Sequence, residues 1–578
     1  MPPARLDWLP PDTTEWIYWW RWQRWQRLPP APLVEPARPI TPGAETGAEV
    51  ARGQPAPAAA PRPSAAALAV PALLRLWSEP DTEPEVRAAL LLSLGRCGSG
   101  PEVDDVLRDG LRDPDRRVVQ SAVLALGALR QPHALELLAG LVEDSTSGRK
   151  ELGAHEVPTP VRAAAAYALG LLAEDLPYTE LRASIAGALL AGLQADAAAG
   201  DEIGSACALA LGLFPGADAE VLLPELLALL RDQRRLERVR AAAPIALAKV
   251  GARAGPGMED LQRRVFDELR RRLLQGSESA LVRQSCALGT GRLGTLAGFA
   301  ELAAQALLRA HAEDADPRVR QLAGLGLAEI AASPHPVGQT LVLPALLDGL
   351  EQGTTAERAW NAVALGWACA RAQEQGRALP QVLGRRLQEA LPGASDTSLR
   401  AAMHLALGLA GQRTAAAGLL AELQRIGDPV LRAEALAGSA LLGDAGFLET
   451  ALDELEATDP LTEPFQVAAA ALAHQHPRAL LERLQRPLES AAPPLQARLA
   501  AAVGFGWIRD ASAVALLLPL TEAQQPLAVR SAAAAAIGRA AERGERLWNA
   551  GYLDLLQPYA GTPALLGDFS GPGVVDRW

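Results

Sequence analysis

A chain of 578 residues exceeds the roughly 250–300 residues at which a single core stops growing, leaving several domains or a repeat array. Its net charge of −12 argues against nucleic acid as a partner, because an acidic chain does not attract polyanions in bulk. No stretch of about 18 apolar residues is present, so no membrane-spanning helix is predicted.

The first segment, residues 1–28, holds six of the twelve tryptophans. Met1–Glu15 lacks the apolar run of a secretory signal, so a cytoplasmic location is expected, with cell-envelope association as the alternative. Asp12-Thr-Thr-Glu15 has the form of a capping box, and Pro29 closes the helix that it opens. On a helical wheel Trp16, Tyr18, Trp19, Trp20, Trp22 and Trp25 share a broad arc. Arg21, Arg24 and Arg27 take most of the remainder. Three readings fit an amphipathic Trp/Arg helix: a cap over an exposed end of the array, a peripheral membrane contact through residues 16–28, or a tethered bait for another protein. Residues 29–63 contain ten prolines and are predicted to be a semi-extended linker.

From residue 64 to 545 a ten-residue phrase recurs, clearest as Val161-Arg-Ala-Ala-Ala-Ala-Tyr-Ala-Leu-Gly170. Thirteen copies start at Val86, Val118, Val161, Ile203, Val239, Val282, Val319, Glu357, Leu399, Leu431, Phe465, Leu495 and Val529, spaced by 30 to 43 residues. Positions 1, 5 and 9 are mostly apolar and fall on one helical face. Position 5 is often small, as at Ala122, Cys207 and Cys286, which lets helices approach closely. Position 10 is Gly in nine copies, for a helix cap or close packing. Position 2 is Arg in nine: Arg87, Arg162, Arg240, Arg283, Arg320, Arg358, Arg400, Arg432 and Arg530. Asp-Pro pairs such as Asp316-Pro317 and Asp428-Pro429 suit helix starts. Between copies lie second amphipathic helices, for example Val221–Leu230, Leu341–Leu350 and Ala513–Leu520. Residues 546–578, with Trp548, Tyr552, Tyr559, Phe569 and Trp578, read as an aromatic C-terminal strap that caps the last hairpin, or as a docking peptide.

The Val-Arg…Ala-Leu-Gly phrases and Asp316-Pro-Arg-Val-Arg320 resemble the HEAT repeat family, and especially its bacterial phycobilisome-lyase-type form. The resemblance covers about residues 65–545. It implies an all-α fold, an α-solenoid (α/α superhelix) of about thirteen helical hairpins. It also implies an Asp/Arg ladder along the array, with Asp316 and Arg320, and Asp428 and Arg432, matching the pattern, and Arg87, Arg162, Arg240, Arg283, Arg400 and Arg530 in register with them. At helix spacings of about 10 Å, such an array predicts a curved rod on the order of 120 Å long with a concave binding surface.

Chemistry-bearing motifs are sparse. Gly289-Thr-Gly-Arg-Leu-Gly294 spells GxGxxG but falls inside a repeat helix, without the strand a dinucleotide site needs. His155-Glu156 resembles the iron-binding His-Glu pairs of HEAT-type deoxyhypusine hydroxylases, but such a site needs several pairs. His474 and His476 lack carboxylates at ligand spacing, and His404 reads as packing. Cys97, Cys207, Cys286 and Cys369 form no CxxC pair and read as buried hydrophobes. Neither a cofactor nor a metal is expected. The paucity of lysine, only Lys150 and Lys249, fits a GC-rich genome.

The expected function is therefore a non-enzymatic scaffold that docks a protein or peptide on its concave helices. The candidate contacts are Trp16, Trp19, Trp20, Trp22 and Trp25, the pair Trp360 and Trp367 with Arg358, and the basic helix carrying Arg263, Arg264, Arg270 and Arg271. The resemblance leaves a second reading, a subunit of a phycobilin-lyase-like enzyme acting on a linear tetrapyrrole. A third is a membrane-associated scaffold anchored by the Trp-rich helix.

Overall fold

The computed structural model describes residues 15–29, 64–195, 201–377, 379, 381–444, 446–544, 547–555, 561, 565 and 574. The capping box at 12–14, the linker at 30–63 and the tail residues Tyr559, Phe569 and Trp578 lie outside the described residues. Among the described residues every element is helical.

The first helix, α1 (Trp16–Arg27), is not part of a hairpin. Thirteen hairpins follow, each an outer helix and then an inner helix that carries the repeated phrase. Repeat 1 pairs Ala65–Trp77 with Pro84–Cys97, repeat 2 Pro101–Gly110 with Arg116–Ala128, and repeat 3 Leu135–Val142 with Thr159–Glu174. Repeat 4 pairs Thr179–Ala195 with Asp201–Leu211, repeat 5 Ala219–Arg231 with Glu237–Arg253, and repeat 6 Glu259–Leu273 with Ala280–Leu293. Repeat 7 pairs Ala300–Glu313 with Pro317–Ala332, repeat 8 Leu343–Gln352 with Thr355–Glu374, and repeat 9 Gln381–Ala390 with Thr397–Leu409. Repeat 10 pairs Ala416–Leu423 with Pro429–Ala440, repeat 11 Phe447–Ala457 with Glu463–Gln475, repeat 12 Pro477–Gln485 with Leu495–Gly504, and repeat 13 Ala511–Leu517 with Leu527–Ala540.

Helix starts follow local chemistry. Asp316 accepts from the backbone N–H groups of Arg318 and Val319, Asp428 from those of Val430 and Leu431, and Asp396 from that of Leu399. Each carboxylate occupies donors that the helix itself leaves unsatisfied. Thr354 and Glu357 form a complete capping box.

Successive inner helices touch nearly backbone to backbone, and position 10 explains how. A Cβ at Gly127 would stand 2.5 Å from Ala168 Cα, and one at Gly408 would collide with the Gly438 backbone of the next repeat. The glycines are there for close approach rather than for helix termination.

The same contact joins the last repeat to the first. A Cβ at Gly538 would lie 2.5 Å from Ser93 Cα. Ser93 Oγ donates to the Ala534 carbonyl at 2.7 Å, Arg96 pairs with Glu542 at 3.0 Å, and Arg530 pairs with Glu83 at 2.6 Å. The outer helices Ala65–Trp77 and Ala511–Leu517 also pack together. The array is thus a closed ring and not the open rod that the repeat count suggests. Stacked hairpins have a small rotation per unit, and here thirteen of those rotations complete a turn.

Arginines along one rim link neighbours. Arg87 binds Asp113 at 2.7 Å, Arg240 binds Glu278 at 2.7 Å, Arg283 binds Asp314 at 2.9 Å, and Arg432 binds Glu454 at 3.0 Å. Arg530 and Glu83 carry the series across the seam. The same arginines donate to carbonyls that end their own outer segment, among them Leu230 for Arg240 and Ile426 for Arg432. Arg162, Arg358 and Arg400 donate to the carbonyls of Val142, Leu350 and Ala394. The acids of the Asp-Pro pairs are not the partners. Asp316 and Asp428 cap their own helices, while Arg320 donates to the Asp314 carbonyl and reaches Glu357 only at 4.0 Å. The paired acid comes from the next repeat, where no fixed spacing within the phrase marks it.

The seam is testable. Gly538→Val forces two methyl groups between the inner helices of repeats 13 and 1, and overpacking of this kind costs about 1–3 kcal/mol. We expect a lower melting temperature and, in X-ray scattering, a larger radius of gyration. Ser93→Val at the same seam should show the same direction.

Candidate functional site at the centre of the ring

α1 occupies the hole. All six of its aromatic side chains are buried, with Trp16 and Trp20 fully enclosed, because the ring wall surrounds them. Trp16 Nε1 donates to Ser398 Oγ at 3.1 Å, and that hydroxyl donates to Glu15. Trp20 Nε1 donates to Glu434 at 2.9 Å. Arg24 binds Glu434 and, at 2.6 Å, Glu463, which also takes Arg21 at 2.8 Å. Trp19 meets Trp367 edge-on at 5.1 Å between centroids. Arg27 lies over the same Trp367 ring and pairs with Glu374 at 2.7 Å. Trp25 stacks on Trp507 at 4.6 Å. Most of these anchors are thus an aromatic plane or a charge-assisted hydrogen bond, and the Arg24–Glu434 pair is fully buried. Burial lowers the affinity of the Arg24 guanidinium for its proton, but Glu434 and Glu463 outweigh that and hold it charged.

The C-terminal strap fills the other side. Tyr552 packs edge-on against Tyr167 and donates to its carbonyl at 2.7 Å. Asp554 pairs with Arg292 at 2.7 Å, Lys249 donates to the Gly551 carbonyl at 2.8 Å, and Arg130 donates to the Trp548 carbonyl. Gln23 of α1 donates to Leu553 at 2.9 Å, so the two ends of the chain meet in the hole. The strap therefore lines repeats 2 to 6 rather than covering the last hairpin alone. Behind it, Glu329 accepts from Trp367 Nε1 at 3.0 Å and faces Arg292 and Arg371. Burial pushes Glu329 up, and the two guanidiniums and the indole pull it below its usual range.

The structure divides the expected contact residues into two groups. Trp16, Trp19, Trp20, Trp22, Trp25 and Trp367 come together at the centre, but they face one another and the ring wall, not a surface. Trp360 is buried too, and Arg358 stands at the rim on the Leu350 carbonyl. The helix at 16–28 therefore presents no aromatic face to a membrane in this arrangement. The basic helix lies on the outside, in repeat 6. There Arg263 covers Phe299, Arg270 faces Asp267 at 3.7 Å, Arg271 binds Glu268 at 2.6 Å, and Arg264 is exposed. Arg272 joins Glu268 to Glu278, which those contacts and Arg240 hold down at about 2 against the upward push of burial. Arg271 and Arg272 are tied into this acid network, while Arg263 and Arg264 lie exposed.

Residues that the sequence reading passed over are Glu374, Glu434 and Glu463, the acids that receive α1, and Lys249, Arg292 and Glu329. A signal for the second set existed. Position 11 of the phrase is Leu in four copies but Arg96, Lys249, Arg292, Glu329, Trp367 and Arg539 in six others, and these side chains face the hub. Gly291, inside GxGxxG, packs on Gly326, with a Cβ there only 2.4 Å from its Cα, so that motif is a helix contact. Among the described residues no group of three or more His, Cys, Asp or Glu is placed to hold a metal. All four cysteines are buried and none is in a disulfide, and burial pushes Cys97 and Cys369 up to about 12. Among the described residues no single helix is long and apolar enough to cross a membrane.

Fold and repeat define an α-solenoid of helical hairpins wound into a ring. Residues 70–170 match the family model for HEAT repeats. No curated protein matches its sequence. Among solved structures, yeast importin-beta (Kap95p) is similar at 15% identity with a TM-score of 0.37, over 81% of this chain and 76% of that one. Kap95p in its study with RanGDP gives 14% and 0.32, over 81% and 75%. An engineered protein gives 17% and 0.28, over 75% and 98%.

Two predictions follow from the hub. Arg24→Ala leaves Glu434 buried without its cation, a change that costs about 3–5 kcal/mol; chemical denaturation should show that loss, and Arg24→Lys a smaller one. His404 is fully buried, and burial, then Arg400, pushes it down to about 4. Its unfolded value is near 6.5, so its contribution is complete above pH 6.5 and is lost as the pH falls toward 4. The urea midpoint should drop across that window, and His404→Leu should flatten the drop.

Proposed function

We propose that this protein is a non-enzymatic scaffold whose inner wall is a receptor for an amphipathic helix bearing Trp and Arg. The observation that carries this reading is the docking of α1. Its anchors, Trp20 and Arg24 on Glu434 with Trp19 on Trp367, have the composition of an interface hot spot: aromatic and Arg side chains seated in desolvated pockets. The helix is joined to the ring only through residues 30–63, so its seat is a helix-in-groove complex made within one chain. HEAT solenoids commonly present such surfaces to proteins, which supports a protein or peptide as the partner. Neither a nucleic acid nor a tetrapyrrole has comparable support in the geometry.

The test uses the full chain. Trp20→Ala with Arg24→Ala empties the seat in cis. A labelled synthetic peptide of residues 12–29 should then bind the double variant saturably and leave the wild-type chain unbound at the same concentration. Adding Glu434→Ala to the double variant should abolish binding. Absence of binding to a double variant that remains helical by circular dichroism would refute the receptor reading.

A further inference from the structure

The centre of the ring is not completely filled. Where the inner helices end, a chamber of about 610 Å³ opens between the last turn of α1 and residues 547–554. Its cationic lining comes from Lys249, Arg253, Arg292, Arg371, Arg509 and Arg539. Its carboxylates are Glu174, Glu374, Glu542 and Asp554, and each already has a cation: Arg130 at 2.9 Å, Arg27 at 2.7 Å, Arg96 at 3.0 Å and Arg292 at 2.7 Å respectively.

Two of these cations are held on backbone carbonyls. The Lys249 ammonium is buried on the Gly551 carbonyl. Arg253 donates to the carbonyls of Gly212, Leu213 and its own-helix Lys249. Neither forms an ion pair with a described carboxylate. Last-turn cations do offset the negative ends of helices, and that accounts for Arg253 on its carbonyls. It leaves the Lys249 ammonium in the chamber wall with only the more distant Asp554 and Glu174 carboxylates to offset the cost of its burial. Burial pushes Lys249 down to about 8, and Arg539, stacked over Trp507, down to about 9. An environment that makes protonation costly gains most when an anion arrives.

We propose that this chamber binds a small multiply charged anion, carrying phosphate or carboxylate groups, between Lys249 and Arg253. The chamber borrows part of its wall from the docked α1, but the inference uses none of the receptor contacts of Trp20, Arg24 and Glu434, so the two tests can fail separately.

Calorimetric titration of the full chain at pH 7 with pyrophosphate and, separately, with citrate tests it. One of the two should bind saturably at one site per chain, and the tighter one names the ligand chemistry. Lys249→Gln and Arg253→Gln should each weaken binding by about tenfold or more, whereas Arg264→Gln on the outer face should leave it unchanged. Affinity should also fall between pH 7 and 9 as Lys249 loses its proton, and Lys249→Gln should lose most of that dependence. Lys249→Gln removes a buried charge, so retained helicity and melting temperature will show that it folds. Failure of both anions to bind saturably, or equal binding by wild type and both chamber variants, would overturn the proposal.

Discussion

Everything in this molecule depends on how closely one inner helix lies against the next. Alanine and glycine at the contact let backbones nearly touch, and that distance fixes the angle through which each hairpin turns. A bulkier residue at Gly127 or Gly408 would splay the pair and widen the curve. Because the angle is held repeatedly along the array, repeat 13 arrives against repeat 1 in the close-packed geometry that most neighbouring pairs use. The seam carries the same elements as the interior: a small residue, a rim arginine on an acid of its neighbour, and outer helices in contact.

Closure changes what the centre must be. An open solenoid exposes its concave face to water, whereas a ring encloses a hole lined by inner helices. Apolar wall without water requires filling at core density. The chain supplies that filling from both of its ends, an aromatic helix from the first and a strap from the last. Tryptophan suits the task because it fills much volume and still brings an N–H to satisfy a buried acid. Glu434, which would be costly alone, is tolerable because Arg24 and Trp20 both reach it.

The hairpins were legible in the sequence because helix periodicity is local. The phrase at Val161 or Val239 marks an inner helix, and the interval before it marks an outer one. Closure was not legible, since it depends on small rotations summed over the whole array, and no residue near Gly538 or Ser93 announces the other. The aromatic arc of α1 was visible, but its neighbours were not: Glu434 and Glu463 lie more than 400 residues away. The rim arginines were visible at position 2, whereas their acids sit at variable spacings, Asp113 and Asp314 in loops and Glu454 inside an outer helix. The hub charges left a trace at position 11, which a comparison of Lys249, Arg292 and Glu329 with the leucines of other copies would have exposed.

The seam also bears on how such a protein can vary in length. In an open array the loss of one hairpin leaves a shorter object that is otherwise sound, because each unit leans only on its neighbours. A circle has no such freedom: twelve hairpins at the angle set for thirteen would leave a gap, and fourteen would collide. Whole-unit gain or loss is therefore barred unless every joint is retuned at once, and change must enter through the loops and the outer faces.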